Sequence, residues 1–377
     1  MPLEQKIIAD LDGTPYPIYI GRDVIGEIVE YVQEKTKNTK VLIVTDTYFS
    51  KTLAKQIESL FLDKAFTVCI HALDAGKGNK NINEVLKIYA KLEEDDFARD
   101  STLIALGGGV IGDMAGFVAS TWLRGMNLVH VPTTLMSMID SSIGGKTAIN
   151  FRHTINGIGS YYHPIANLID LNLIDSLSER DYVSGLAEVI KCGVINDADF
   201  FQQLISDAYE IKARSEQHVV NFVKRTIEIK IKHVQGDVKE GGKRLLLNYG
   251  HTLGHSIEIS TVAKDGHEQL RHGEGVSIGI MAVAYVAAKH LGISSDIYES
   301  LRSLFKIYGL PVDISASQMG IDRSSLLKSC IKNVHKDKKR LNNRLRLILA
   351  SKIGGAEVYD DVPFNIIEDA FDHIIKD

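Results

Sequence analysis

Hydrophobic patterning divides the chain into two grammars. Up to about residue 175, short apolar runs alternate with stretches of helical period. The runs Val41–Val44, Phe66–Ile70, Thr102–Leu106 and Leu128–Val131 are nearly continuous in apolar residues, as expected of strands buried on both faces. Between them, residues 82–95 place Val85, Leu86, Ile88, Tyr89 and Leu92 at helical spacing. Strands alternating with helices predict a parallel sheet covered on both sides. Beyond 175 helical periods take over, at 181–195, 197–213, 215–235, 246–260, 273–291, 295–308 and 323–334, with one late strand at Leu345–Leu349. Ser178 to Asp181 reads as a capped helix start. The expected architecture is an α/β domain over 1–175 followed by a mostly α-helical domain over 176–377. There is no internal repeat.

Composition changes this picture little. Hydrophobic residues make up 45% and charged residues 24% of the 377, ordinary values for a soluble globular protein. A net charge of −5 gives no reason to expect nucleic acid or anionic membrane as a partner. Cys69, Cys192 and Cys330 are widely spaced, which argues against a disulfide framework and for a reducing compartment. The first residues lack the apolar core of a signal peptide, and no run is long enough to span a bilayer. A cytoplasmic location is expected.

Candidate chemistry centres on Arg244–His255, with His272 close behind. His251 and His255 are four apart and share one helix face. Three imidazoles with glycines packed around them favour a metal or catalytic site over solvated helix histidines. Gly107–Asp113 follows a strand, opens a helix and has G-x-G-x-x-G spacing, which suits a pyrophosphate at a helix N-terminus. The acidic strand end that completes the usual dinucleotide fingerprint is missing downstream. It occurs earlier, at Asp46, placed to hold a ribose hydroxyl from the other side. Pro132, Thr133 and Thr134 end a strand where ligands bind in open sheets, although without further context a turn with satisfied hydroxyls is the better reading. Asp140–Thr147 ends in Gly-Gly-Lys-Thr without the earlier glycine of a P-loop, leaving Lys146 as a point-charge anion ligand and Asp140 as an orienting group. Glu188 and Lys191 lie three apart in an apolar helix, where burial demands pairing or a metal. Lys230, Arg244 and Lys338 are cations for which a solvated surface role is the default.

Taken together, Gly107–Asp113, Pro132–Thr134, Asp140–Thr147, Ala187–Lys191, Asn248–His255 and His272 with its following Gly-Glu resemble 3-dehydroquinate synthase and its sugar phosphate cyclase relatives, in consistent order from about Asp46 to Leu349. The resemblance implies a dehydroquinate synthase-like fold, tightly bound NAD regenerated within each turnover, and zinc, with cobalt possible. It assigns Glu188, His251 and His272 as the metal ligands, whereas the residues by themselves pair His251 with His255. By motif match the cofactor positions are Asp46, Lys80, Gly109, Val110, Ile111, Gly112, Asp113, Thr133, Thr134, Asp140 and Lys146. The phosphate of a seven-carbon sugar acid phosphate falls to Lys146, Asn156, Asn248, His255 and Lys338, and its carboxylate to Lys230 and Arg244, with Glu240 and Lys191 also in the catalytic set. Arg124 matches an arginine that reaches the neighbouring subunit's site, which implies a homodimer. The implied reaction converts 3-deoxy-arabino-heptulosonate 7-phosphate to 3-dehydroquinate with loss of phosphate.

Two departures stand out. Ile155 replaces an expected lysine beside Asn156, and Lys77 replaces an expected glutamate ahead of Lys80; Arg271 before His272 is also unusual. Arg152 or His153 are candidates to restore the missing charge. These changes keep a sister cyclase making another carbocycle in play. A metal-dependent polyol dehydrogenase is a further alternative, sharing the glycine turn and the Pro-Thr-Thr step but not Lys230 with Arg244.

Overall fold

The computed structural model describes residues 5–11, 13–74, 76–152, 154–263, 266–340 and 345–377, without the side chains at 77 and 337–340. In chain order the first elements are β1 (Gln5–Leu11), β2 (Thr14–Gly21), α1 (Ile28–Gln33), β3 (Lys40–Asp46), α2 (Leu53–Leu62), β4 (Thr67–Leu73), α3 (Ile82–Glu94) and β5 (Thr102–Gly107). There follow α4 (Gly109–Thr121), β6 (Asn127–Pro132), β7 (Lys146–Phe151), β8 (Thr154–Tyr161), β9 (Ala166–Asp170) and α5 (Asn172–Asp175). The later elements are α6 (Glu179–Asn196), α7 (Ala198–Ser206), α8 (Ala208–Lys212), α9 (Glu216–Val234), α10 (His251–Ser260), α11 (His272–His290) and α12 (Asp296–Tyr308). The chain ends with β10 (Ile314–Ser315), α13 (Arg323–Arg340), β11 (Leu347–Lys352), β12 (Gly355–Tyr359), α14 (Phe364–Ile374) and β13 (Ile375–Lys376).

Two compact units form, Met1–Leu177 with Val219–Lys239, and Ser178–His218 with Glu240–Asp377. The first is built on a seven-stranded sheet in the order β1-β2-β9-β6-β5-β3-β4. Its neighbours are parallel except for the antiparallel edge pair β1–β2. The apolar runs split by parity, as successive strand residues must. Val41, Ile43, Ile104, Leu106, Val129 and Val131 pack with Ala54, Ile57 and Phe61 of α2. Leu42, Val44, Leu103, Ala105 and Leu128 pack with Val85, Ile88 and Leu92 of α3 and with Met114, Ala115 and Val118 of α4. Both faces are thus covered, which is why these strands are apolar throughout.

The helical period over 215–235 places that stretch with the second domain, but Val219–Lys239 groups with the first unit. There Lys224 donates to Gln5 at 3.1 Å and Lys230 to Asp140. A helical period reports that one face is buried and not what buries it. In the second unit α11 is buried almost all round and packs on α6, α10, α12, α14 and β11. Two other expected helices are broken. The period 197–213 becomes α7 and α8 because Asp207 leaves helical geometry. The period 246–260 becomes a tight turn over Lys243–Asn248 and then α10, because Gly250 takes φ +80°. The late strand is joined by β12 as an antiparallel hairpin. No helix among the described residues is long and apolar enough to cross a membrane.

Candidate active site

In the first unit the sheet order reverses at β3. The chain runs from β3 to β4 on one side and then to β5 on the other. The crevice beyond the C-terminal ends of β3 and β5 is therefore the switch point where open parallel sheets bind ligands. Asp46 ends β3 and Gly107 ends β5, and the two strands are paired in register up to Val44 and Ala105. Asp46 Oδ1 accepts from the backbone N–H groups of Tyr48 and Phe49 at 2.9 and 3.0 Å, which fixes the carboxylate at the strand end. The glycines are required by close approach. A Cβ on Gly107 would stand 2.7 Å from Ile111 Cβ, one on Gly108 3.3 Å from Thr134 Cγ2, and one on Gly109 3.1 Å from Ser141 Oγ. α4 therefore starts with its first amides, at Gly109, Val110 and Ile111, free of intrahelical partners and available to an anion. Gly112 N–H already donates to Gly108 O at 3.0 Å, and the Ile111 side chain is in the core. This cradle, with Asp46 beside it, fits a nucleotide cofactor.

Thr133 N–H donates to Gly107 O, and the Thr134 hydroxyl caps the turn at Ser137. For Thr134 the satisfied-turn reading is therefore realised. Lys80, only 7% exposed, bonds both Asp113 Oδ2 and Asn156 Oδ1 at 2.5 Å. Burial raises the Asp113 carboxyl above its ordinary range, and the Lys80 ammonium pulls it only part of the way back. Lys230 is 6% exposed and bonds the backbone and side-chain oxygens of Asp140; the solvated surface role expected by default is corrected, because its position on α9 is buried. Lys146 is exposed at the start of β7, and Arg124 is exposed in a turn where Leu123 and Arg124 take φ +47° and +66°.

Facing Gly112 of α4, β6 carries the buried His130, whose pKa burial lowers to about 4. The folded value lies below the unfolded one of about 6.5, so the neutral ring's contribution is complete above about pH 6.5 and is lost as pH falls toward 4. His130→Leu is expected to shrink the stability loss between pH 7 and 4.5 by about 2 kcal/mol, read from urea unfolding at the two pH values. An unchanged loss would mean that another group carries the acid sensitivity.

In the second unit α10 and α11 meet on glycine. Gly254 faces the backbone of Gly275, and Gly279 faces the backbone of Gly250 and Gly254. The close approach brings His251 and His255 on one helix to His272 at the start of the other, with ring centroids 5.3–5.5 Å apart. One ligand nitrogen from each of the three lies within 4.8 Å of the others. Glu188 comes from α6, 1% exposed, with Oε1 3.3 Å from His251 Nε2 and 3.8 Å from His272 Nε2. Lys191, one turn on, forms an ion pair with its Oε2. Burial would push the Glu188 carboxyl up, but the Lys191 ammonium and the two imidazoles outweigh it and hold it well below the usual carboxylate range. Desolvation, then the field of His251, lowers His255 to about 3. Oε2 of Glu188 is taken by the Lys191 ammonium, and Oε1 is left facing the two imidazoles. A buried carboxylate held by Lys191 on one oxygen, with the other facing two imidazole nitrogens, fits a divalent cation of the zinc or cobalt kind.

Asn248 donates to Glu240 at 2.7 Å, and Arg244 is 1% exposed, again against the surface default. The side chain of Lys338, like that of Lys77 and the whole of His153, lies outside the described residues. Ile155 is 61% exposed on β8, and Arg152 lies over the Phe151 ring. Arg271 pairs with Asp181 at 2.8 Å, so the unusual residue ties the start of α11 to α6. Sequence reasoning missed Glu258, whose Oε1 is 3.1 Å from His272 Nδ1. Its spacing of seven from His251 puts it on the histidine face of α10, a signal that was available.

Profiles described as "3-dehydroquinate synthase N-terminal" and "3-dehydroquinate synthase C-terminal" match residues 70–184 and 185–340. The 3-dehydroquinate synthase of Shewanella sp. (strain MR-4) is 37% identical over 366 residues, covering 97% of this chain and 98% of the relative. Among solved structures, 2-deoxy-scyllo-inosose synthase complexed with carbaglucose-6-phosphate, NAD+ and Co2+ aligns with TM-score 0.85 at 23% identity, covering 98% of this chain and 99% of that one. The 2-epi-5-epi-valiolone synthase from Streptomyces hygroscopicus subsp. jinggangensis 5008, with NAD+ and Zn2+ bound, aligns with TM-score 0.83 at 22% identity, covering 95% and 96%. The two structures share the fold, an α/β domain with a parallel sheet followed by a helical domain. With both profiles matched in sequence and a relative similar over nearly its whole length, this chain belongs to the 3-dehydroquinate synthase family.

Proposed function

We propose that this protein is a phosphate-eliminating lyase that converts 3-deoxy-arabino-heptulosonate 7-phosphate to 3-dehydroquinate, a step toward aromatic amino acids. The observation that carries the reading is the buried Glu188 carboxylate, with Oε2 paired to Lys191 and Oε1 facing the ring nitrogens of His251 and His272. When bound, NAD would accept and return one hydride, and a divalent cation on Glu188, His251 and His272 would polarise the substrate hydroxyls. The cradle at Gly109–Asp113 with Asp46, Thr133 and Thr134 receives the nucleotide, and Lys80 holds Asp113 and Asn156 in place for it. Lys230 and Arg244 take the substrate carboxylate, a fork and a point charge suited to that group. Lys146, Asn156, Asn248, His255 and Lys338 take the phosphate, with Glu240 orienting the Asn248 amide. The carbon–oxygen bond to phosphate breaks, one ring carbon–carbon bond forms, and no net redox change remains. Arg124, exposed in a turn where it and Leu123 take positive φ, is the residue assigned to reach the site of a second copy, which makes the protein a homodimer in this reading.

Inorganic phosphate release from the heptulosonate phosphate, with catalytic NAD and added zinc, tests the reading. Turnover is expected without accumulation of NADH. Release only from sedoheptulose 7-phosphate or glucose 6-phosphate would move the protein to a sister cyclase, the reading that the exposed apolar Ile155 favours. Net NADH production would identify a polyol dehydrogenase.

A further inference from the structure

His272 opens α11 with its ring between two carboxylates. Nε2 stands 3.8 Å from Glu188 Oε1, and Nδ1 stands 3.1 Å from Glu258 Oε1. An ionised carboxylate only accepts hydrogen bonds, so the proton of a neutral ring sits on Nδ1 and the Nε2 lone pair faces Glu188. Two features of the fold put Glu258 there. It shares the α10 face that carries His251 and His255. Across from it α11 has Gly275, where a Cβ would stand 2.4 Å from Glu258 Cγ and 2.6 Å from Oε1. The backbone of the helix start is fixed separately. Arg271 N–H donates to Glu274 Oε2 at 2.8 Å, and Arg180 grips both Glu274 oxygens at 2.7 Å. Those bonds locate the Cα of His272 but leave the rotation and tautomer of its ring open.

We propose that Glu258 is a positioning residue for the cation site, holding His272 in the Nδ1–H tautomer with Nε2 turned toward Glu188. The inference rests on the reading of Glu188, His251 and His272 as ligands. A carboxylate behind a ligating imidazole fixes its orientation and raises its basicity, and loss of such a partner costs about 10–100-fold in metal affinity.

The test is cation affinity of the full chain, measured for Zn2+ and Co2+ by competition with a chromophoric chelator, together with the visible Co2+ spectrum. Glu258→Ala is expected to bind about 10–100-fold more weakly with shifted Co2+ bands. Glu258→Gln keeps an acceptor for Nδ1–H without the charge and is expected to fall between. A merely structural glutamate would lower the melting temperature and leave affinity and spectrum of the folded protein alone. Affinity of folded Glu258→Ala equal to the wild type overturns the proposal. Should that variant not fold, Glu258→Gln decides on the same criterion. Failure of the underlying reading looks different: Glu188→Gln would then bind the cation as well as the wild type does.

Discussion

Glu188→Gln is expected to lose the proposed cation binding and the activity, and to destabilise the cation-free protein by about 3–5 kcal/mol. Glu188 and Lys191 are each 2% exposed in their side chains and face each other one turn apart on α6. Glutamine keeps the size of the side chain and removes its charge. The Lys191 ammonium then stays out of water without the charge of Glu188 opposite it, and less of its desolvation is offset. Adding Lys191→Met should restore most of the stability, because replacing both members of a buried ion pair by uncharged groups is often neutral. It should not restore cation binding or turnover. The pattern expected from chelator-treated samples in urea is therefore wild type near the double variant, with Glu188→Gln well below both. A single variant that unfolds with the wild type and still takes up one cation would remove Glu188 from the site.

The central elements were legible because their burial is two-sided or strongly periodic. β3, β5 and β6 are apolar on both parities, α3 has a clear helical period, and α11 is apolar nearly all round over a run too long for a strand. The turn at Gly107–Asp113 could be read because close packing forbids side chains there. What escaped was one-sided or long-range. β2 carries Pro15 and Pro17, which argue against a strand, yet it lies next to the sheet edge and pairs with β1. β8 is exposed along most of its length and shows no apolar alternation. The bonds from Lys80 to Asn156 and from Lys230 to Asp140 join residues 76 and 90 positions apart, and no local pattern encodes such a meeting. The histidines illustrate both cases. Spacing alone shows that His251 and His255 share a face, whereas the arrival of Glu188 and His272 depends on how α6, α10 and α11 pack.

Gly279→Ala is expected to cost about 3 kcal/mol of stability, at the upper end of what one added methyl does in a packed interior, and to weaken cation binding as well. The new Cβ would stand 2.1 Å from Gly250 O, 2.6 Å from Gly254 N and 2.7 Å from Gly254 Cα. All three are backbone atoms, so no side chain can rotate away and α10 must move off α11. Alanine favours a helix over glycine by about 1 kcal/mol, which is too little to offset the clash. Moving α10 carries His251 away from His272, so the same substitution separates two of the proposed cation ligands without touching either. Gly26→Ala is the matched control. Gly26 is exposed in the short turn Val24–Glu27, and a Cβ there meets nothing within 4 Å. That change should be neutral or stabilise by up to about 1 kcal/mol through the unfolded chain. Urea unfolding and chelator competition on the two variants give the comparison. If Gly279→Ala proved as stable as Gly26→Ala and bound zinc equally well, the glycine contact between α10 and α11 would not be what brings the histidines together.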